Sequence, residues 1–215
     1  MPEWISPSQF HASDGIDDWR VLGAGVGAHF TAGSLTAGAD LVRAVAEAAR
    51  EAGCDPAVDL RADGVTVRLP GTEHGLDARY VDLARRISAA AGEAGATADP
   101  AAVQDVQTAI DAMDIPSVRR FWAAVLAYEE WGDEDVVDPH RQGPPIWFQQ
   151  MDAPRPQRNR IHFDVFVPHD QAQARIAAAL AAGGRMVSDA HAPASWLLAD
   201  PEGNEVCVAT WQGRD

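Results

Sequence analysis

The sequence has few cysteines, no lysine, no long apolar run and no sign of a leader segment. The two cysteines, Cys54 and Cys207, fall in different halves of the chain, so we expect reduced thiols rather than a disulfide framework. The first fifteen residues contain neither a basic stretch nor an apolar core, which argues against a secretory signal. No segment approaches the roughly 18 apolar residues of a membrane span. We therefore expect a cytoplasmic protein.

Basic charge is also scarce. The chain carries 17 basic residues against 32 acidic ones, a net charge of −15 and a pI of about 4.7. Such a chain is repelled by phosphate backbones and has no basic stretch for anionic lipid, so we expect neither a nucleic acid nor a membrane partner. With 215 residues, 47% of them hydrophobic, it is long enough for one large domain or two small ones.

The N-terminal part has the pattern of an α+β domain. A helix is predicted from Leu41 to Ala52, with Asp40 as N-cap and Gly53 as its end. Residues 58–69 alternate around an Asp-Gly turn and predict a hairpin, residues 77–90 predict a second helix, and residues 19–31 a pair of strands. Helices on one face of an antiparallel sheet are the economical arrangement.

A change of domain is predicted between Gly92 and Ala101. The run GEAGATADPA is small and flexible, ends at a proline and follows a strong helix, as linkers do. We therefore predict one domain over residues 1–95 and a second over residues 103–215.

The first domain resembles the pterin-4a-carbinolamine dehydratases over residues 16–91. The resemblance rests on Trp19, Phe30, the Cys-Asp-Pro turn that ends at Pro56, the strand VTVRL and the segment HGLDARYVDLARRI. It implies 4a-hydroxytetrahydrobiopterin dehydratase activity or, where the chemistry has been lost, a domain that binds a ligand or dimerises.

The departures from that family fall on its catalytic histidines. Cys54 and Asp55 stand where members carry two histidines, and Pro70-Gly71 stands where they carry Thr-His. Dehydration needs groups that move a proton near neutral pH. Asp55 and His74 are the residues left for that role, and a fold that has lost the reaction is the favoured interpretation.

An internal repeat marks the second domain. Residues 107–126 and 162–180 each read as a short strand, an Asp-containing turn and a helix, and strand patterns follow both, so a βαβββ unit is written twice. Asp114 is a predicted N-cap. A pseudo-two-fold would bring the starts of both first strands, at Gln107 and His162, to one shared cavity.

Three motifs make this domain resemble the vicinal-oxygen-chelate superfamily, the glyoxalase and bleomycin-resistance-like proteins, over residues 106–211. They are FWAAVL at 121–126, NRIHFDV at 159–165 and DPEGNEVCV at 200–208. The resemblance implies paired βαβββ modules that form a cup-shaped sheet, a divalent metal held by inward ligands, a small-molecule substrate and frequent homodimers.

The residues at the metal-ligand positions implied by that resemblance are poor ligands for a hard divalent ion. Gln107, Gln149 and His162 stand at three of them, and Cys207 stands where a glutamate usually completes the site, with Glu205 two residues nearer the turn. Two amides, an imidazole and a thiol suit a hard divalent ion poorly. Cys207 and the amides also have plain roles in packing and hydrogen bonding.

Three functions follow as hypotheses. The favoured one is a protein that binds a small molecule in the cup without the full metal site, with Trp147 and Trp196 lining an aromatic pocket. The second is a metal-dependent lyase or isomerase of the glyoxalase type that uses His162. The third is dehydratase activity in the first domain. The sequence leaves open whether the protein is an enzyme.

Overall fold

The computed structural model describes residues 3–23, 25–72, 74–155 and 161–213. The chain divides into two compact units, Met1–Asp105 and Val106–Asp215. Each unit has its own hydrophobic core, as independent domains do.

The N-terminal unit is an antiparallel sheet with helices on one face. Its elements are β1 (Trp4–Ile5), α1 (Pro7–His11), β2 (Arg20–Leu22), β3 (Gly25–Thr31), α2 (Leu35–Ala52), β4 (Ala57–Arg61), β5 (Gly64–Pro70), β6 (Leu76–Asp77), α3 (Arg79–Glu93) and β7 (Thr97–Ala98). The main sheet has the order β2-β3-β5-β4, β7 pairs with β3, and β1 pairs with β6. One core joins the helices to Ala28, Phe30, Val65 and Val67. The predicted α+β class and the hairpin of β4 and β5 are confirmed.

The first long helix starts earlier than the pattern predicted. Helix α2 begins at Leu35, six residues before Leu41, because the Ser34 side chain accepts a hydrogen bond from the Ala37 N–H. Asp40 therefore lies inside the helix and is not its cap. Gly53 ends α2 in the left-handed conformation, as glycine does at helix ends. Helix α3 begins at Arg79, near the predicted start at Asp77, and Asp77 itself belongs to β6.

The segment predicted as a linker is partly structural. Within it, β7 pairs with the end of β3, Ala98 opposite Phe30 and Thr97 opposite Thr31. The Asp99 N–H also donates to the carbonyl of His29. These bonds attach residues 97–99 to the N-terminal sheet, which is why the division between the units falls after Asp105.

The C-terminal unit contains the predicted βαβββ unit twice. The first copy is β8 (Thr108–Ala112), α4 (Ile115–Leu126), β9 (Glu129–Trp131), β10 (Asp135–Val137) and β11 (Ile146–Gln150), and the second is β12 (Phe163–Phe166), α5 (Ala172–Ala181), β13 (Arg185–Ser188), β14 (Ser195–Ala199) and β15 (Glu205–Ala209). Asn159 and Arg160, which the second motif includes, lie outside the described residues.

Both copies have the same strand order. The first half-sheet is β8-β11-β10-β9 and the second is β12-β15-β14-β13. In each, the first strand runs parallel to the last, and the other pairs are antiparallel. The predicted duplication is therefore present in the topology itself.

Local signals explain the start of the first copy. Asp114 caps α4 by accepting a hydrogen bond from the Ser117 N–H, as predicted, and Pro116 lies in the first turn. The Glu202 carboxylate, from the turn before β15, accepts hydrogen bonds from the N–H groups of Met113 and Asp114. One core cluster contains side chains of both copies, so the copies form one domain.

None of the helices in the described ranges has both the length and the apolar character that crossing a membrane requires.

Candidate functional site

Each half-sheet has one face that packs on the helices and one that does not; the second is called the open face below. On the first half-sheet the core takes Ile110, Ile146 and Phe148. Because side chains alternate along a strand, the residues between them, including Trp147, lie on the open face. On the second half-sheet the core takes Leu198, Val206 and Val208.

The structure does not place Trp196 in an aromatic pocket, although the sequence had predicted it there. Its side chain is 9% exposed and belongs to the core cluster. In the β14–β15 pair it lies opposite Val208, whereas Leu197 lies opposite Cys207. Trp196 thus points to the helix side and packs the core rather than lining a ligand pocket on the open face.

A row of side chains crosses the open face of the first half-sheet. Asp135 on β10 lies opposite Trp131 on β9 and opposite Trp147 on β11, and Trp147 lies opposite Ala109 on β8. Directly opposite residues share a face, with Cβ atoms about 5 Å apart. One carboxyl group therefore has an indole on each side.

Gln107 and Asp135 are joined on this face. The Gln107 amide Nε2 donates to Asp135 Oδ1 over 3.1 Å. Burial raises the pKa of the Asp135 carboxyl above its usual range, and the neighbouring Glu134 charge raises it further. The Glu134 carboxylate in turn accepts a hydrogen bond from the Trp147 indole N–H, at 3.3 Å. The sequence singled out Gln107 and Trp147 but not Asp135, although the alternation of β10 with Val136 buried would have placed Asp135 beside them.

Gln149 lies further along the same face. It is exposed and lies opposite Asp111 in the parallel β8–β11 pair. Asp111 forms an ion pair with Arg155 at 3.3 Å. An amide, a carboxylate and a guanidinium therefore extend the polar end of the row.

A second group of polar side chains lies on the open face of the second half-sheet. His162 precedes β12, Asp164 follows two residues later on the same face, and Cys207 lies directly opposite Asp164 on β15. One ligand atom from each of the three lies within 4.8 Å of the others. His162 Nε2 is 3.6 Å from Asp164 Oδ1. The structure therefore places His162 and Cys207 close together, with Asp164 as the third member of the group.

The donor set of this group is compatible with a metal of intermediate softness. Imidazole nitrogen, carboxylate oxygen and thiolate sulfur are the ligands that Zn²⁺ takes. The sequence analysis did not select Asp164, although the spacing His-x-Asp on a strand places the two side chains on one face. Glu205 shares the face of Cys207 but lies outside the group.

Asp55 lies at an open groove of the N-terminal unit. The groove measures about 360 Å³, and its lining includes Val45, Arg50, Asp55 and Pro56. Cys54 is 7% exposed, and burial raises the pKa of its thiol. His74, the other predicted catalytic residue, is not part of this lining and instead contacts the Trp4 ring at 5.7 Å between centroids.

One family model matches the sequence of the second unit. Residues 107–209 match the family model of the glyoxalase-like domain. This range begins at Gln107 and covers both βαβββ copies, so the match supports a glyoxalase-like domain in the C-terminal unit. No curated protein matches the chain.

Solved structures with similarity to the chain include the following three. A glyoxalase/bleomycin resistance protein from Albidiferax ferrireducens is 17% identical, with a TM-score of 0.39, over 48% of this chain and 95% of its own. Fosfomycin resistance protein FosX from Mesorhizobium loti is 11% identical, with a TM-score of 0.40, over 51% and 92%. The oxidase ChaP-H2 is 19% identical, with a TM-score of 0.39, over 51% and 94%.

Proposed function

We propose that the C-terminal unit binds a small molecule on the open face of the first half-sheet. The observation that carries this proposal is the hydrogen bond from Gln107 to Asp135, beside Trp147, on a face that the core does not use. Ligand sites combine aromatic surface with a few placed polar groups, and these residues supply both.

The energetics support binding rather than packing as the role of this face. A partly buried carboxyl whose pKa is raised is unfavourable as an anion,, and such groups concentrate at functional sites. Trp147 is only partly buried and lies outside the core cluster. Neither side chain is therefore explained by the stability of the domain.

Calorimetric titration of the full chain with a panel of small molecules tests this proposal. The panel should include carboxylic acids, aromatic alcohols, sugars and organic amines. We expect at least one class to bind saturably and to lose affinity in Trp147→Leu, whereas Trp211→Leu, the matched variant at an exposed tryptophan beside His169, should bind as the wild type does. If no panel member binds, the proposal is rejected.

The group His162, Asp164 and Cys207 supports a second candidate, a metal-dependent lyase or isomerase of the glyoxalase type. These three side chains would hold a divalent ion through nitrogen, oxygen and sulfur. A bound ion would supply Lewis-acid stabilisation of an oxyanion.

Thiol protection tests the metal independently of any reaction. With Zn²⁺ present, we expect slower modification of Cys207 by a disulfide reagent, while buried Cys54 serves as an internal reference. His162→Ala should abolish the protection, and elemental analysis should show less than one zinc per chain in that variant. Equal rates of Cys207 modification with and without Zn²⁺, Ni²⁺ or Mn²⁺ would rule out a metal there.

The N-terminal unit supports a third candidate, pterin carbinolamine dehydratase activity. The groove that Asp55 lines is the supporting observation, since a carboxylate there is a possible proton acceptor. Turnover of the carbinolamine by the full chain, compared with Asp55→Asn, tests it. A rate equal to the uncatalysed background would leave ligand binding or dimerisation as the roles of this unit.

A further inference from the structure

The row Trp131–Asp135–Trp147 has a specific chemical character. The two indoles lie on strands two positions apart, so their backbones are separated by about 10 Å, with the carboxyl group between them. Trp131 is 44% exposed and Trp147 is partly buried. A carboxylate between aromatic faces attracts a cation twice, through its charge and through the quadrupoles of the rings.

Arg141 shows that one of these rings accepts a cation. Its guanidinium carbon lies 5.4 Å from the centre of the Trp131 ring. The loop that carries Arg141 is held in place because the Asp138 carboxylate accepts hydrogen bonds from the N–H groups of His140, Gln142 and Gly143. Arg141 therefore lies over one face of the Trp131 ring, on a loop that these hydrogen bonds hold in place.

Asp135 keeps one oxygen available to a ligand. Oδ1 accepts the hydrogen bond from Gln107, and in the described part of the chain Oδ2 accepts none. Arg119, the cation whose charge acts on Asp135, donates to the Gly132 carbonyl and pairs with Glu130, which shares the helix side with Val136. Among the described residues the Asp135 carboxylate forms no ion pair, although the Arg119 charge acts on it.

We propose that Trp131, Asp135 and Trp147 form a subsite for an organic cation, the ammonium or guanidinium head of a small molecule. This inference rests on the proposed function and names the ligand class of the same face. The cation lies against the indole faces and binds Asp135 Oδ2, while Gln107 orients the carboxylate. The net charge of −15 favours the approach of such a ligand.

Choline and its uncharged isostere 3,3-dimethylbutan-1-ol provide the test, with ethylguanidinium as the second cation. Calorimetric titration of the full chain should show at least tenfold tighter binding of a cation than of the isostere, roughly the 1.4 kcal/mol that a tenfold ratio represents. Asp135→Asn, which keeps the shape of the side chain and its acceptor for Gln107, should remove this preference. Trp147→Leu should weaken both cations.

Asp170→Asn is the matched control, because it removes an equal charge from the same unit at an exposed position, where Asp170 accepts a hydrogen bond from its neighbour Gln171. It should leave cation affinity unchanged. Circular dichroism of each variant verifies folding. If panel molecules bind at Trp147 but cations bind no better than the isostere, or if Asp135→Asn binds cations like the wild type, the cation subsite is wrong and the small-molecule proposal survives. If nothing in the panel binds, both fail.

Discussion

The indole N–H of Trp122 donates a hydrogen bond to the carboxylate of Asp200 over 3.0 Å, and Asp200 is fully buried. Trp122 belongs to the first βαβββ copy and Asp200 to the second. The same carboxylate accepts hydrogen bonds from the N–H groups of Glu202 and Asn204 and from the Asn204 side chain. One buried acid therefore organises the DPEGN turn and joins it to helix α4.

Asp200→Ala should destabilise the C-terminal unit by about 3 kcal/mol or more, because it leaves several buried donors without an acceptor. Asp200→Asn keeps one acceptor oxygen and should cost less, about 1–2 kcal/mol. Urea unfolding followed by circular dichroism measures both. Equal stability of Asp200→Ala and the wild type would show that the turn does not depend on this carboxylate.

Glu202→Gln should lower the free energy of unfolding by about 1 kcal/mol. The carboxylate bonds to the N–H groups of Met113 and Asp114, at 2.6–2.9 Å, are charge-assisted and lie at the positive end of α4. Glu47→Gln, at an exposed position in the middle of α2, is the matched control and should change stability little. The effect of Glu202→Gln should shrink in high salt; a loss independent of salt would contradict the charge-based explanation.

Arg79→Met should destabilise the N-terminal unit at neutral pH. Arg79 binds the buried Asp77 carboxylate and the carbonyls at the end of α2. Its hydrogen bonds lower the pKa of Asp77 below 3.8, so their contribution is present above that pH and is lost as the pH falls through the lowered value. The stability difference from the wild type should therefore narrow below about pH 4.

Arg61→Met is the control for that prediction. Arg61 pairs with Asp59 at the same spacing, but that carboxylate is 43% exposed, and exposed pairs contribute little. Thermal unfolding of both variants between pH 3 and pH 7 makes the comparison. Equal effects of the two substitutions would contradict a special role for the buried pair.

Asp135→Asn should stabilise the protein at pH 7. Burial and the Glu134 charge raise the pKa of Asp135 above 3.8. Ionisation of this carboxyl therefore destabilises the folded protein: the free energy of unfolding is highest below pH 3.8 and falls as the pH rises through the raised pKa,. The gain at pH 7 should be about 0.5 kcal/mol after allowance for solvent screening, and it should vanish near pH 3. A loss of stability at pH 7 would mean that the charge has a partner.

Structural features that depend on residues close together in the sequence were predicted correctly. The duplicated unit, the Asp114 cap and the hairpin of β4 and β5 each depend on a few neighbouring residues. The predicted start of α2 at Leu41 leaves out the first part of the helix, which contains Gly38. In the structure Gly38 is buried, and a Cβ there would lie 2.6 Å from a methyl group of Leu60, so the packing of the helix on the sheet favours glycine inside it.

The sequence alone does not predict which residues lie opposite one another on neighbouring strands. Trp196 was placed on the wrong face because the pairing with Val208 depends on which strands become neighbours. Asp135 and Asp164 were overlooked for the same reason, since each becomes notable only beside a residue from another strand. The pairing of β7 with β3 is also a tertiary contact, and composition alone described that segment as flexible.

The parallel closure of each half-sheet has a consequence for synthesis of the chain. Strand β8 can pair with β11 only after α4, β9 and β10 have been synthesised. The entropy cost of bringing the two strands together comes before their hydrogen bonds can stabilise the pair. The first copy can close while the second is still being translated. Its share of the common core then faces water until α5 and β15 emerge, and during that interval the nascent chain is most exposed to aggregation and most in need of chaperones.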